Sequence, residues 1–186
     1  MNMPSQMPAP ITVNGDWVAT VKDSIPDHAK DIMLNLDSIM RNHGLEPVDA
    51  HACAYAAAIA ASNGGLAFEI EMNSPLFLND AEREATKAAA ALMGMNNIWY
   101  PFVDMVADPE LKQLPPGLRM NVYANHGGVS KQKFEMYALA ASIVGKCEHC
   151  VKSHYDILKA GGMTVKQLQA IGKIAAIVNA IGKIAI

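Results

Sequence analysis

Cys147 and Cys150 stand three residues apart, His149 lies between them, and His154 follows four residues after the second thiol. On a helix turning about 100° per residue, Cys147, Cys150 and His154 fall within about 60° of one another, so two sulfurs and an imidazole share one stripe. That spacing lets the thiols close a Cys147–Cys150 disulfide within one turn, so a cysteine oxidised by a peroxide is resolved by its neighbour before it is oxidised further. Attack on a peroxide oxygen needs a thiolate and a proton donor for the departing hydroxide or alkoxide. His154, one turn after Cys150, can supply or relay that proton. Cys147 follows Gly145-Lys146 and is expected in the first helical turn, where unpaired N–H groups, the positive helix end and the Lys146 charge favour thiolate. Glu135 lies on the preceding helical segment between Phe134 and Met136 and adds a carboxylate that can take up a proton.

Other chemistry competes for the same residues. Cys147, Cys150 and His154, with His149 or Glu135, include soft and borderline zinc ligands, and the corresponding alternative is a zinc-stabilised helical binding module without turnover. Structural zinc sites usually join two separated ligand pairs, whereas three of these candidates crowd one helix. The redox reading therefore leads, with no metal and no bound cofactor expected. By helical geometry alone His149 projects about 200° from Cys147, which suits a packing role. Cys53, inside the run AHACAYAAA, reads as a small buried residue, and the twelve methionines read as core filler in a chain poor in aromatics.

The elements that must position these groups are all helical. Apolar residues recur at helical spacing from Ile25 to Met40 and stop before Gly44. Pro47 suits the first turn of an Ala-rich helix that ends at Asn63-Gly64-Gly65, and a short helix can occupy Leu66 to Met72. Asn79 with Glu82 forms a capping-box pattern at the head of a long segment through Tyr100. Ser130 can cap KQKFEMYALAASIVG, with Gly145 closing it and Cys147 to Ala160 starting anew, and Thr164 with Gln167 caps the last helix. No run alternates with a period of two over strand length, so the fold class is all-α. Residues 1–20 read as a mobile or loosely packed N-terminal extension, and 21–186 as a single domain.

The two halves are distantly alike. Asn-His-Gly recurs at an offset of 83 residues (42–44 and 125–127) and Tyr-Ala at 82 (55–56 and 137–138), as a duplicated helical unit would give. Where the second half has its two cysteines, the first is matched to Ala61-Ser62-Asn63-Gly64, which places the chemistry in the second half.

A formal charge of −3 with scattered basic residues argues against nucleic acid as a partner. The N-terminal residues lack the basic and apolar regions of a secretion signal, and the apolar stretches are short or interrupted by Lys173 and Lys183, so no membrane span is expected. Three cysteines, two of them three apart, suit a reducing compartment, and a cytoplasmic location follows.

Glu135, eleven residues, Cys147-x-His149-Cys150, three residues, His154 resembles the signature of the alkyl hydroperoxide reductase D (AhpD) family, within the carboxymuconolactone decarboxylase-like superfamily. Met93-Gly94-Met95-Asn96-Asn97, Pro116-Gly117-Leu118-Arg119-Met120-Asn121 and Asp31-Ile32-x-Leu34-Asn35-Leu36 resemble it too, and the similarity runs from Val21 to Ile181. The resemblance implies an all-helical subunit, assembled as a homotrimer, that reduces organic hydroperoxides and returns electrons to a partner peroxiredoxin (AhpC). Those electrons come from dihydrolipoamide carried on a lipoylated 2-oxoacid dehydrogenase component. By matched position Cys150 is the peroxide-attacking cysteine that becomes sulfenic acid. Cys147 resolves it, donates a proton and forms the mixed disulfide with the partner. Glu135, His149 and His154 form the proton relay. On this basis His149 moves from packing residue to relay member. Helix-terminus reasoning alone favours Cys147 as the more acidic thiol, and a relay from Glu135 through His154 to Cys150 reconciles the two. A lactone decarboxylase working without thiols, the remaining alternative, leaves the C-x-x-C unexplained.

Overall fold

The computed structural model describes residues 16–184, and every regular element among them is helical. In chain order these are α1 (Trp17–Ser24), α2 (Lys30–Arg41), α3 (Pro47–Ala60), α4 (Gly64–Asn73), α5 (Asp80–Val106), α6 (Pro109–Gln113), α7 (Lys131–Gly145), α8 (Glu148–Ala160) and α9 (Val165–Ile181), with short 3₁₀ turns between some of them.

α3 and α7 form the centre, packed on each other and both on α5 and α9. Their sequences explain the placement. Ala52, Ala54, Ala56, Ala57 and Ala58 of α3 and Ala138, Ala140 and Ala141 of α7 are fully buried. A helix apolar all round belongs inside, and its small side chains let neighbouring axes approach closely. Phe134, Leu139 and Tyr137 fill the space that the alanines leave. α8 lies over α7 and α5, so the helix with both cysteines is seated on the core rather than hung from a loop.

Several expected boundaries are met. α3 starts at Pro47, and the capping boxes Asn79/Glu82 and Thr164/Gln167 are closed by reciprocal side chain and backbone hydrogen bonds. Others are corrected. The helix expected from Ile25 is interrupted: Pro26 precedes a 3₁₀ turn over Asp27–Ala29, and α2 begins only at Lys30. Gly64 and Gly65 are the opening residues of α4, and the left-handed turn before it is made by Ser62 (φ 56°). α5 passes through Pro101 and ends six residues beyond Tyr100. Proline there costs one backbone hydrogen bond to Asn97, which the long helix tolerates.

The extension predicted over residues 1–20 is also corrected at its far end. Residues 17–20 belong to α1, and Trp17 is fully buried, its indole N–H donating to His51 Nδ1 at 2.9 Å. His51 in turn stacks on Phe77 with ring centroids 3.8 Å apart. One aromatic residue, too isolated to register as a periodic pattern, anchors the helix. Residues 1–15 lie outside the described residues.

The repeat gains structural detail. α3 is followed by left-handed Ser62, the N-cap Asn63 and α4; α7 is followed by left-handed Lys146 (φ 56°), the N-cap Cys147 and α8. Asn63 Oδ1 accepts from Leu66 N at 3.1 Å, as Cys147 Sγ accepts from Cys150 N at 3.2 Å. Judged by these caps, the first-half counterpart of Cys147 to Cys150 is Asn63 to Leu66, two residues later than the sequence match to Ala61-Gly64.

Candidate active site

Cys147 is the N-cap of α8, one position before the first turn in which it was expected. Lys146 in the left-handed conformation turns the chain sharply from α7 into α8, and its own N–H closes α7 by donating to Ile143 O at 3.1 Å. Gly145, expected to close α7, is its last residue and has a further task. A Cβ there would lie 2.7 Å from Asn97 Cβ, so glycine makes room for the Asn97 side chain, whose Nδ2 donates to Ala141 O at 3.2 Å. Asn97 thereby fastens α5 to the end of α7, where the two cysteines begin.

Cys147 and Cys150 are joined as a disulfide with Cα atoms 5.3 Å apart, and both sulfurs are buried, Cys147 fully and Cys150 to within 3%. In the reduced protein the Cys150 N–H that meets Cys147 Sγ would stabilise a thiolate there, the usual effect of a helix N-terminus. Cys53, by contrast, is a free and fully buried thiol on α3 that donates to Met136 O at 3.6 Å. Burial pushes its pKa up, so it stays a thiol and packs as expected.

Glu135 on α7 and His154 on α8 meet in the interior. Glu135 Oε2 and His154 Nδ1 are 2.6 Å apart, with Glu135 1% and His154 4% exposed. A carboxyl group buried to that degree requires such a partner, because an isolated charge would be strongly disfavoured. The other ring nitrogen, Nε2, lies 3.2 Å from Met93 Sδ on α5. Three helices therefore converge on one imidazole.

His149 is exposed, and its ring stacks on Tyr100 with centroids 4.4 Å apart. The packing role inferred from helical angle is thus half the account. Tyr100 is its packing partner, but the ring also lines the same cleft as Cys150 and His154, together with Asn96, Met120 and Tyr123. The cleft has a volume of about 230 Å³. Burial, with the Glu135 charge adding to it, pushes the Tyr123 phenol above its usual range, so Tyr123 presents a neutral O–H. Among the described residues no three side chains of the His, Cys, Asp and Glu types converge to hold a metal ion.

All five residues singled out in the sequence, Cys147, Cys150, Glu135, His149 and His154, come together at the junction of α5, α7 and α8. Met93, Asn96, Tyr100 and Tyr123 were not assigned roles from sequence. Met93 and Asn96 fall in one of the corroborating motifs and Met120 in another, and Asn96 Nδ2 reaches Met120 Sδ at 3.5 Å. The two motifs therefore meet beside the cleft, which was the available signal.

Residues 109–185 match the model of the Carboxymuconolactone decarboxylase family. A protein of Rhodospirillum centenum called alkyl hydroperoxide reductase AhpD is 37% identical over 167 residues, covering 90% of this chain and 89% of the relative. Proteins of the same name from Gluconacetobacter diazotrophicus (38% identical; 88% of this chain, 90% of the relative) and Coxiella burnetii (37% identical; 90% and 96%) are similarly close. Near-complete coverage in both directions at this identity leaves no room for a shared fragment alone: the chain belongs to the alkyl hydroperoxide reductase AhpD family, within the carboxymuconolactone decarboxylase-like superfamily.

Proposed function

We propose that this protein is an antioxidant dithiol peroxidase and disulfide reductase, carried by one observation: the Cys147–Cys150 disulfide adjoins the buried Glu135–His154 pair and opens on the same cleft as His149. The Cys150 thiolate attacks the terminal oxygen of an organic hydroperoxide. The O–O bond breaks, Cys150 becomes a sulfenic acid, and the alkoxide takes a proton and leaves as alcohol. Cys147 then attacks the sulfenic sulfur, water departs with a second proton, and the disulfide is formed. Glu135, His154 and His149 move these protons, and Cys147 also serves as proton donor.

Reduction returns two electrons and two protons from an external dithiol. Dihydrolipoamide on a lipoylated 2-oxoacid dehydrogenase component is the proposed donor, with no cofactor bound to this chain. A peroxiredoxin of the AhpC type is the proposed recipient, linked transiently to Cys147 as a mixed disulfide. The family relationship supports both, and a cytoplasmic homotrimer is the proposed working form. Among the described residues no helix is long and apolar enough to cross a membrane.

The test is a coupled assay in which dihydrolipoamide drives hydroperoxide consumption, with and without an AhpC-type peroxiredoxin. Turnover with this protein alone, rising when the peroxiredoxin is added, is expected. Absence of turnover with dihydrolipoamide under both conditions would overturn the proposed electron path.

A further inference from the structure

His154 has two ring nitrogens and two buried neighbours, Glu135 Oε2 at 2.6 Å from Nδ1 and Met93 Sδ at 3.2 Å from Nε2. Met93 is fully buried on α5. A thioether sulfur is an acceptor and never a donor. If Nε2 faced it with a bare lone pair, two acceptors would oppose each other in the interior, so the nitrogen beside Met93 carries a proton.

We propose that Met93 is a positioning residue for the relay: its sulfur accepts the Nε2–H of His154 and leaves Nδ1 as the nitrogen that exchanges a proton with Glu135. With Nε2 protonated, the pair has two forms. One is imidazolium beside carboxylate, the other a neutral imidazole accepting from a carboxylic acid. They contain the same atoms and differ only in where one proton sits along the 2.6 Å line. Both hold a spare proton. The third form, Nδ1–H donating to carboxylate with Nε2 bare, holds one proton fewer, and the sulfur disfavours it. Met93 therefore keeps the transferable proton in the pair. With both nitrogens engaged, that proton leaves through the carboxyl or after the ring turns, rather than directly from Nε2 to Cys150. Only this use of the proton rests on the function proposed above; the tautomer does not.

The test combines ¹⁵N NMR of the histidine rings in reduced protein with the rate of Cys147–Cys150 disulfide formation after one equivalent of tert-butyl hydroperoxide. The His154 signals are assigned by their loss in His154→Gln. Met93→Leu conserves volume, which cores tolerate well, and removes the acceptor, whereas Met93→Gln supplies a carbonyl in its place. In the wild type, Nε2 of His154 is expected to show a directly bonded proton. Met93→Leu is expected to lose that signature and to slow disulfide formation roughly tenfold, a part of the ~10²–10⁴-fold that general acid–base catalysis supplies, and Met93→Gln to recover both. An Nε2 proton that persists in Met93→Leu would overturn the proposal, as would equal slowing in both variants with the tautomer unchanged. A lost Nε2 proton with an unchanged oxidation rate would uphold the Met93 hydrogen bond and overturn the relay instead.

Discussion

A buried carboxyl group and a buried imidazole are each costly alone, and at this site each is the other's partner. Glu135 and His154 sit 2.6 Å apart with almost no solvent contact, and His154 lines the same cleft as Cys150. Glu135→Gln keeps a polar group of the same shape and removes the proton acceptor. It is expected to slow disulfide formation after hydroperoxide by about 10²-fold, the lower end of general acid–base effects, with alkylation-quenched mass spectrometry as the readout. The spacing of Glu135, Cys147, Cys150 and His154 was legible in the sequence, because α7 and α8 are consecutive and helical angle decides what faces what. Met93 and Tyr100 were not, because they come from α5 and meet His154 and His149 only through tertiary packing. The helical angle of His149 gave its packing role alone, because a long side chain on the far side of a first turn also reaches a cleft built by another helix.

At the scale of elements, the junction of α5, α7 and α8 is held by close approach. Gly145→Ala would push a methyl group to 2.7 Å from Asn97 Cβ, near the base of a side chain that cannot swing aside. A loss of about 1–3 kcal/mol, typical of overpacking, is expected in urea unfolding, together with a slower dithiol reaction. The caps at Asn79, Ser130 and Thr164 could be read from sequence because a cap is a local hydrogen bond between residues three apart. α1 could not, because Trp17 gains its place from His51 and Phe77, which lie far along the chain.

The same cluster gives a pH dependence. Burial first, with the His43 charge adding, lowers the His51 pKa to about 4 from an ordinary 6.5. The neutral ring accepts the Trp17 N–H, so the folded state resists a proton that the unfolded chain takes up below pH 6.5. Stability is thus full above about 6.5 and falls as the pH drops toward about 4. A loss on the order of 2 kcal/mol is expected across that window. Thermal melts should show it, and His51→Gln, which can accept the indole N–H without titrating, should lack this component.

Over the whole molecule, two helix-to-helix junctions of similar local build are put to different use. The counterpart of Cys147 is Asn63, an N-cap of the same kind without redox chemistry. The site is nevertheless not confined to α7 and α8, as the comparison of the halves implied, since α5 supplies Met93, Asn96 and Tyr100 to it. The all-α class was legible because alanine content and helical periodicity act locally, whereas the shared site depends on how α5 crosses α7 and α8. α5 also leaves Ile98 72% and Met105 79% exposed, with Phe102 between them on the same helical face. Such apolar surface is commonly covered by a partner. In sedimentation equilibrium the proposed homotrimer should give about three times the 19.9 kDa chain mass, and a monomer at micromolar concentration would contradict it.

The division of labour between the two thiols is tested by trapping the oxidised sulfur. Reduced Cys147→Ser and Cys150→Ser proteins are each given one equivalent of hydroperoxide with a sulfenic-acid-specific probe, and the labelled residue is identified by peptide mass spectrometry. A stoichiometric adduct is expected on Cys150 in Cys147→Ser, with no multiple turnover in that variant, and neither adduct nor turnover is expected in Cys150→Ser. An adduct on Cys147 in the Cys150→Ser protein at the rate seen for Cys150, or full turnover by that variant, would contradict it.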